Sequence, residues 1–413
     1  MVHGREVRFP AIGGMACLAQ VLSVLQKVLP QRAAHGSGPG VDLPLYYQAF
    51  HPKPVASMGS IGDDPMKPLE GKNVLVTGGT GSLGRVLVRR LLAGEMGQPK
   101  QVLVFSRDET KQHYMRLQYA HRPVATEEII YKGAQGRLAF HVGDVREYAS
   151  VVAAVRRADV VFNAAAMKQV PTCEYFPGEA VETNVLGPAN IVRAIRENDT
   201  PVETVVGIST DKACKPVNVM GMTKALQERI FLGANLDCPE TRFVCVRYGN
   251  VISSRGSVVP LFLDQIKQGG PVTITVKEMT RFLLTLDQAV DTIFAAVRNA
   301  LPGETYVPKV PSARMLDIAT ILIGSSDVNI TYTGIRPGEK IHEILVSEEE
   351  CHRTLERDGY FVIEPILQEI RHADVARPAL AEEYSSAKAL LPMDRLRKLI
   401  DPYLEVADPE EPT

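Results

Sequence analysis

The chain has 413 residues, of which 45% are hydrophobic and 23% charged, with a formal net charge of -2. That length allows two or more domains, and the balance is that of an ordinary globular protein. A near-neutral chain excludes binding to nucleic acid or to an acidic membrane surface through bulk charge.

Residues 9–30 are apolar behind Arg5 and Arg8, but Gln20, Ser23, Gln26 and Lys27 interrupt them. The segment falls short of the ~20 apolar residues of a membrane span, and a signal peptide is the weaker alternative, because no clean small-x-small cleavage site follows. Met15, Leu18, Val21, Leu22, Leu25, Val28 and Leu29 fit one helical face, so the segment reads as a docking or membrane-surface helix. Residues 31–65, rich in Gly, Pro, Ser and His, read as a linker or arm. Met66-Lys67-Pro68-Leu69-Glu70-Gly71-Lys72 looks like a second natural beginning. The 65 residues before it are then an appendage of unknown role or an over-extended start.

From Asn73 the pattern changes. Strands are expected at 73–77, 101–106, 138–142, 159–164, 204–209 and 242–247, all apolar. Helices are expected after Gly84, from about Asp108, and at 151–158, 180–197 and 220–234. Strict alternation of buried strands with helices argues for an α/β protein with a Rossmann-like, doubly wound parallel sheet over 66–247. After Tyr248 the alternation weakens to a strand at 272–275 and a helix at 287–299, with turns at Pro302-Gly303 and Pro337-Gly338. Residues 248–374 read as a smaller substrate lobe with segments returning to the sheet. Residues 375–413 read as a polar tail with one amphipathic helix near 393–400 and a disordered acidic end. The six cysteines form no Cys-x-x-Cys pair. They imply reduced thiols, a cytoplasmic setting and no metal site.

The run Thr77-Gly78-Gly79-Thr80-Gly81-Ser82-Leu83-Gly84 joins the first strand to the first helix. Glycines there let the backbone approach a pyrophosphate, and the helix N-terminus offers N–H groups to it. The second strand ends Phe105-Ser106-Arg107-Asp108. Ser106 and Arg107 suit the 2′-phosphate of NADP, since a guanidinium fork pairs with phosphate oxygens; Asp108 keeps NAD open or caps the next helix. Asp144, followed by Val145, ends the third strand as an adenine contact or as a helix N-cap. Asn163-Ala164-Ala165-Ala166 ends the fourth, where small side chains leave room for a nicotinamide ribose; the alternative is close helix–sheet packing. Lys168 follows at a strand C-terminus, where open sheets put ligands. Asn184, polar in an apolar helix, ties the active-site strand to a helix or faces solvent.

The densest chemistry lies in Ser209-Thr210-Asp211-Lys212 and in Met220-Gly221-Met222-Thr223-Lys224. Met220 and Lys224 share one helix face. Short-chain dehydrogenases carry Tyr-x-x-x-Lys at this place, with the phenol as acid/base. A thioether cannot exchange a proton, so proton chemistry falls to Thr210, Asp211, Lys212 and Lys224, which burial and neighbouring charges can tune.

With these motifs stand Arg247-Tyr248-Gly249-Asn250-Val251, Ser254-Arg255-Gly256-Ser257-Val258-Val259-Pro260, Met279-Thr280-Arg281-Phe282 and Arg336-Pro337-Gly338-Glu339-Lys340. In this collinear set, from Lys72 to about Ser347, the chain resembles an extended short-chain dehydrogenase/reductase. More narrowly it resembles the inverting UDP-N-acetylglucosamine 4,6-dehydratases of soluble, capsular polysaccharide type that have Met-x-x-x-Lys. The resemblance implies a UDP-sugar substrate. Asn250 then contacts phosphate or the sugar amide, Arg255, Arg281 and Arg336 contact diphosphate or uridine, and Glu339 and Lys340 are structural. It further implies a homo-oligomer, with dimers built into a hexamer.

By the same resemblance, hydride leaves C4 of the sugar for NADP and returns to C6. Lys212 as the neutral amine removes the C5 proton, and protonated Asp211 releases the C6 hydroxyl as water. Thr210 binds the C4 oxygen and Lys224 the nicotinamide ribose. Met220 leaves Asp211 or a water to accept the C4 hydroxyl proton. The neutral state of Lys212 requires local tuning, since an unperturbed lysine titrates near ~10.4.

Overall fold

A computed structural model of the chain describes residues 67–120, 136–252, 257–372 and 377–405. The expected N-terminal helix, the linker, Met66, the Ser254-Arg255-Gly256 run and the acidic end lie outside them.

Six strands, β1 (Asn73–Thr77), β2 (Gln101–Ser106), β3 (Leu138–Val142), β4 (Val160–Asn163), β5 (Thr204–Ile208) and β6 (Arg242–Val246), alternate with helices. The helices are α1 (Ser82–Leu92), α2 (Glu109–Ala120), α3 (Tyr148–Val155), α4 (Val170–Tyr175), α5 (Pro177–Val181), α6 (Gly187–Glu197) and α7 (Val219–Asp237). All six strands are parallel. Apart from the partly exposed edge strand β3, their side chains are buried on both faces, which is why the sequence shows continuous apolar runs rather than alternation. In β1, Val74 and Val76 face one core and Leu75 the other; in β2, Val102 and Val104 face the first and Leu103 and Phe105 the second.

Beyond Val246 the chain forms β7 (Asn250–Val251), α8 (Val258–Lys267), β8 (Val272–Ile274), β9 (Thr280–Leu284), α9 (Leu286–Asn299), β10 (Thr305–Pro308) and β11 (Ser312–Arg314). Then come α10 (Met315–Ile323), β12 (Ile330–Tyr332), β13 (Ile344–Val346), α11 (Glu348–Cys351), β14 (Thr354–Arg357), β15 (Tyr360–Ile363), β16 (Tyr384–Ser385) and α12 (Met393–Glu405). Strand β10 pairs parallel with β6, and β15 and β14 add antiparallel beyond it. The large sheet therefore has the order β14-β15-β10-β6-β5-β4-β1-β2-β3. The short strands β7, β9 and β11 form a second sheet, and α8, α10 and α12 share a separate apolar core.

The chain leaves β1 toward β2 and β3, then crosses to β4 on the other side of β1. That reversal opens a crevice at the C-terminal ends of β1 and β4, where open parallel sheets bind ligands. The long helix expected at 180–197 is broken. A π-helical turn at Glu182–Leu186 separates α5 from α6. Pro188 has no N–H for the carbonyl four residues back, so the ladder widens there. No helix among the described residues is long and apolar enough to cross a membrane.

Candidate active site

The crevice begins at the turn after β1. Gly78 has φ 66°, and a β-carbon on it would sit 2.8 Å from the backbone of Ala165. The small residues Ala164, Ala165 and Ala166 after β4 thus let two strand ends approach each other. A β-carbon on Gly84 would lie 2.5 Å from the Cα of Gly79, so α1 also packs tightly on the turn. Gly81 is the N-cap of α1, with no side-chain cap and no acidic residue in the first turn. The N–H groups of Ser82, Leu83 and their neighbours, with Thr80 beside them, form a positive cradle open to an anion. A dinucleotide pyrophosphate fits it. Thr77 Oγ1 donates to Asn163 Oδ1 at 2.8 Å and accepts from Ala165 N at 3.2 Å, which locks the two strand ends.

At the end of β2, Ser106 Oγ accepts from Gln112 at 3.1 Å. Asp108 caps α2, accepting Lys111 N at 2.9 Å. Arg107 remains exposed at the strand edge, 3.7 Å from Asp144 Oδ2. Asp144 is more engaged than the adenine role requires: it accepts from Arg146 N at 3.0 Å and from the Arg146 guanidinium at 2.9 and 2.7 Å. Burial works against its charge, but Arg146 prevails and holds the carboxyl below its usual range. Val145 is buried, and a β-carbon on Gly187 would sit 2.9 Å from it. Lys168 is exposed, and partial desolvation lowers its pKa.

Asn184, in the π turn, does tie two elements together. It accepts from Met167 N at 2.8 Å, donates to Met167 O at 3.0 Å and donates to Thr223 Oγ1 on α7 at 3.0 Å. Its bonds fix the segment after β4, next to Lys168, against the helix that carries Lys224.

The central stretch follows β5. Ser209 N donates to Val246 O at 2.8 Å, and Asp211 N donates to Tyr248 O at 3.0 Å, so the chain stays on the rim of the sheet. A 3-10 turn, Asp211–Ala213, then forms with Thr210 as its cap. Asp211 is fully buried. Its Oδ1 accepts from Thr210 Oγ1 at 2.8 Å and from Lys212 Nζ at 3.0 Å. Its Oδ2 is buried with no hydrogen-bond partner among the described residues.

A second carboxylate completes the cluster. Glu343 Oε1 lies 3.4 Å from Lys212 Nζ and 3.7 Å from Arg281 Nε. Burial raises the pKa of Asp211; the Lys212 ammonium opposes this and the Glu343 charge adds to it, so the carboxyl holds its proton more tightly than a free one. Glu343, although desolvated, is held below the usual carboxylate range by Lys212 and Arg281. Lys212 departs from the expectation of a neutral amine. Burial pulls its pKa down, but Asp211 and Glu343 together raise it, and the site holds an ammonium.

Met220 and Lys224 lie on one face of α7 as expected. Met220 is packed with Cys173 and Ala180. Lys224 Nζ donates to Ile208 O at 2.5 Å and to Gln227 Oε1 at 2.6 Å, and burial lowers its pKa to about 8. Asn218 caps α7, accepting Gly221 N at 2.7 Å, and its Nδ2 donates to Gly338 O at 2.7 Å.

Of the expected substrate contacts, Asn250 keeps a buried Oδ1 with no hydrogen-bond partner among the described residues. Arg336 is exposed on the loop before β13. Arg281 is turned inward, donating to Thr280 O at 2.8 Å and Ile341 O at 3.1 Å, so its guanidinium serves Glu343. Arg255 lies outside the described residues. Lys340 Nζ donates to Cys214 O at 2.5 Å. Glu343 was not singled out by its motif. The available signal was a carboxylate next to the apolar run Ile344-Leu345-Val346, a residue type that needs a partner when buried.

The polysaccharide biosynthesis protein family matches this chain over residues 74–365. A Rickettsia akari (strain Hartford) protein named UDP-glucose 4-epimerase is 39% identical over 340 residues, which are 80% of this chain and 95% of that one. Among solved structures, Pen from Bacillus thuringiensis is similar with TM-score 0.71 and 34% identity, covering 81% of this chain and 98% of that one. The dTDP-glucose 4,6-dehydratase DesIV of Streptomyces venezuelae, with NAD and TYD bound, has TM-score 0.54 at 21% identity, over 65% of this chain and 86% of that one. The last is a likeness of fold.

Proposed function

The chain belongs to the polysaccharide biosynthesis protein family, among the nucleotide-sugar dehydratases and epimerases of the extended short-chain dehydrogenase/reductase class, and on that premise we propose that it dehydrates UDP-N-acetylglucosamine to a UDP-4-keto-6-deoxy sugar, with inversion at C5. The observation that carries this reading is the buried Asp211–Lys212 pair at the C-terminal end of β5. A buried carboxyl that holds its proton more tightly than usual, beside an amine, can serve as an acid and a base for two different carbons.

A nicotinamide dinucleotide in the crevice would supply reversible hydride transfer, from C4 outward and back to C6. The cradle after β1 holds its pyrophosphate, Lys224 its nicotinamide ribose, and Arg107 a 2′-phosphate. We take NADP as the cofactor because Asp108 is engaged in capping α2, which leaves Arg107 at the strand edge. Thr210 binds the C4 oxygen. Lys212 removes the C5 proton once it is neutral. Its side chain is 20% exposed in the ligand-free site, and a sugar covering that face displaces the water that stabilises the ammonium. Asp211 delivers the proton with which the C6 hydroxyl leaves. Lys168, Asn250 and Arg336 contact the UDP moiety or the acetamido group. The product enters surface polysaccharide synthesis.

The name of the Rickettsia akari relative favours a second reading, a UDP-sugar 4-epimerase. Epimerisation at C4 uses neither a C5 base nor a C6 acid, so it leaves the buried pair without a task. Incubation with UDP-N-acetylglucosamine and mass spectrometry of the product separates the two. Loss of one water supports the dehydratase; an isobaric epimer overturns it. No turnover with cofactor still bound points to a non-catalytic dinucleotide-binding regulator.

A further inference from the structure

Two buried carboxylates bracket one ammonium. Lys212 Nζ is 3.0 Å from Asp211 Oδ1 and 3.4 Å from Glu343 Oε1. Their surroundings differ. Asp211 has one further donor, the neutral hydroxyl of Thr210. Glu343 faces the Arg281 guanidinium at 3.7 Å, and the Lys340 ammonium also acts on it. Ser386 Oγ accepts Glu343 N at 2.9 Å and fixes the backbone. His342, the neighbouring titratable group, is turned to Thr280 Oγ1 at 2.8 Å. Like charges this close to one cation do not both ionise readily, and the added cations favour ionisation of Glu343.

We propose that Glu343 is a positioning residue of the dehydration step: its carboxylate answers the charge of Lys212, so that Asp211 keeps the proton that leaves with the C6 oxygen. The inference rests on the dehydratase reading. Lys212, once its ammonium proton has passed to solvent as the sugar covers it, takes the C5 proton as the neutral amine, and the electron pair of the C5–H bond forms the C5–C6 double bond. The C6–O bond breaks, and the Asp211 proton joins the departing oxygen to make water. Asp211 is left as the carboxylate. Without Glu343, Asp211 alone would answer Lys212, would ionise at neutral pH, and would have no proton to give.

The test uses the full chain with Glu343→Gln and Glu343→Asp. Infrared spectroscopy of the ligand-free protein should show a protonated-carboxyl band at neutral pH, assigned by its loss in Asp211→Asn. In Glu343→Gln that band should titrate away at least one pH unit lower, a tenfold change in the proton's affinity; Glu343→Asp should restore it. A band absent from the wild type, or unmoved in Glu343→Gln, overturns the proposal. With substrate, the alkaline limb of kcat should move down by the same amount and activity should recover in acid. A uniform fall at every pH, or loss of folding in both variants with no wild-type band, also overturns it. If the wild type releases no water, the dehydratase reading fails, while the infrared result still decides the proton's place.

Discussion

A β-carbon on Gly221 would lie 2.3 Å from the carbonyl oxygen of Lys212. Helix α7 thus starts directly against the turn that carries Asp211 and Lys212. Gly221→Ala must push the two apart. Such overpacking costs about 1–3 kcal/mol, and the displacement falls on Lys212. We expect a lowered Tm and a kcat reduced by at least tenfold, with KM little changed. Wild-type kcat with a lowered Tm would show that Lys212 tolerates the shift.

Asp211→Asn and Lys212→Ala should both stop water release, each by about 10²–10⁴-fold, the usual range for a positioned acid or base. Both variants should still reduce bound cofactor on adding UDP-N-acetylglucosamine, seen as absorbance at the nicotinamide band. Solvent deuterium should enter C5 with Asp211→Asn and not with Lys212→Ala. Water release at the wild-type rate by either variant removes that residue from its role.

Lys224 titrates at about 8 in the folded chain against 10.5 ordinarily, because burial disfavours its charge. The unfolded chain therefore binds this proton more tightly. Between about pH 8 and 10.5 stability rises with pH through this group, by on the order of 2–3 kcal/mol. Lys224→Met has no such rise. Urea melts of both proteins across that range should show a wild-type gain missing from the variant; parallel curves would refute it.

Arg247 lies between two buried carboxylates, donating to Glu228 at 3.0 and 2.7 Å and to Glu350 at 2.8 and 3.0 Å. Burial opposes the charge of Glu350, but Arg247 holds its pKa at about 2, below the ordinary 4.5. The stability it contributes is complete above about 4.5 and is lost as pH falls through about 2. Glu350→Gln should cost about 3–5 kcal/mol near neutral pH, since it leaves a buried charge half-answered. The gap from wild type should close on acidification. A gap constant with pH would mean that packing, not charge, is responsible.

Tyr175 and Phe176 at the end of α4 are exposed, as are Met222 and Leu226 on α7. Glu174 Oε1 accepts Val219 N at 2.7 Å, which brings the two helices together. An apolar set of this kind suits self-association, the expected homo-oligomer. Tyr175→Glu with Leu226→Glu should reduce the solution mass by light scattering to that of one chain. An unchanged mass would place the contact elsewhere.

The parallel strands other than the edge strand β3 were legible because burial on both faces leaves an unbroken apolar run that few other elements produce. Thr210-Asp211-Lys212 was legible because charged residues at the C-terminal end of such a strand point to a site. Tertiary partners were not. Asp108 was left between a ribose contact and a helix cap, and only the packing of α2 makes it the cap. Lys212 was expected to be neutral; its ammonium is held by Glu343, a residue far downstream whose approach no local pattern records. Arg281 was expected at the diphosphate for the same reason, since a motif gives residue types but not which way a guanidinium turns. The break in the 180–197 helix had a local cause in Pro188, but the partner that uses it, Asn184 on Met167, is again tertiary.

The order in which the site is supplied along the chain has a consequence for synthesis. The crevice after β1 and the Asp211–Lys212 turn are complete in a nascent chain that has passed β6. Glu343 emerges only later, and β10 gains its antiparallel cover only when β14 and β15 follow. Until then β10 presents an unpaired edge. A growing chain therefore has the glycine turn after β1 and the Asp211–Lys212 pair before it has Glu343, and that carboxylate arrives just ahead of the strands that cover the edge of β10.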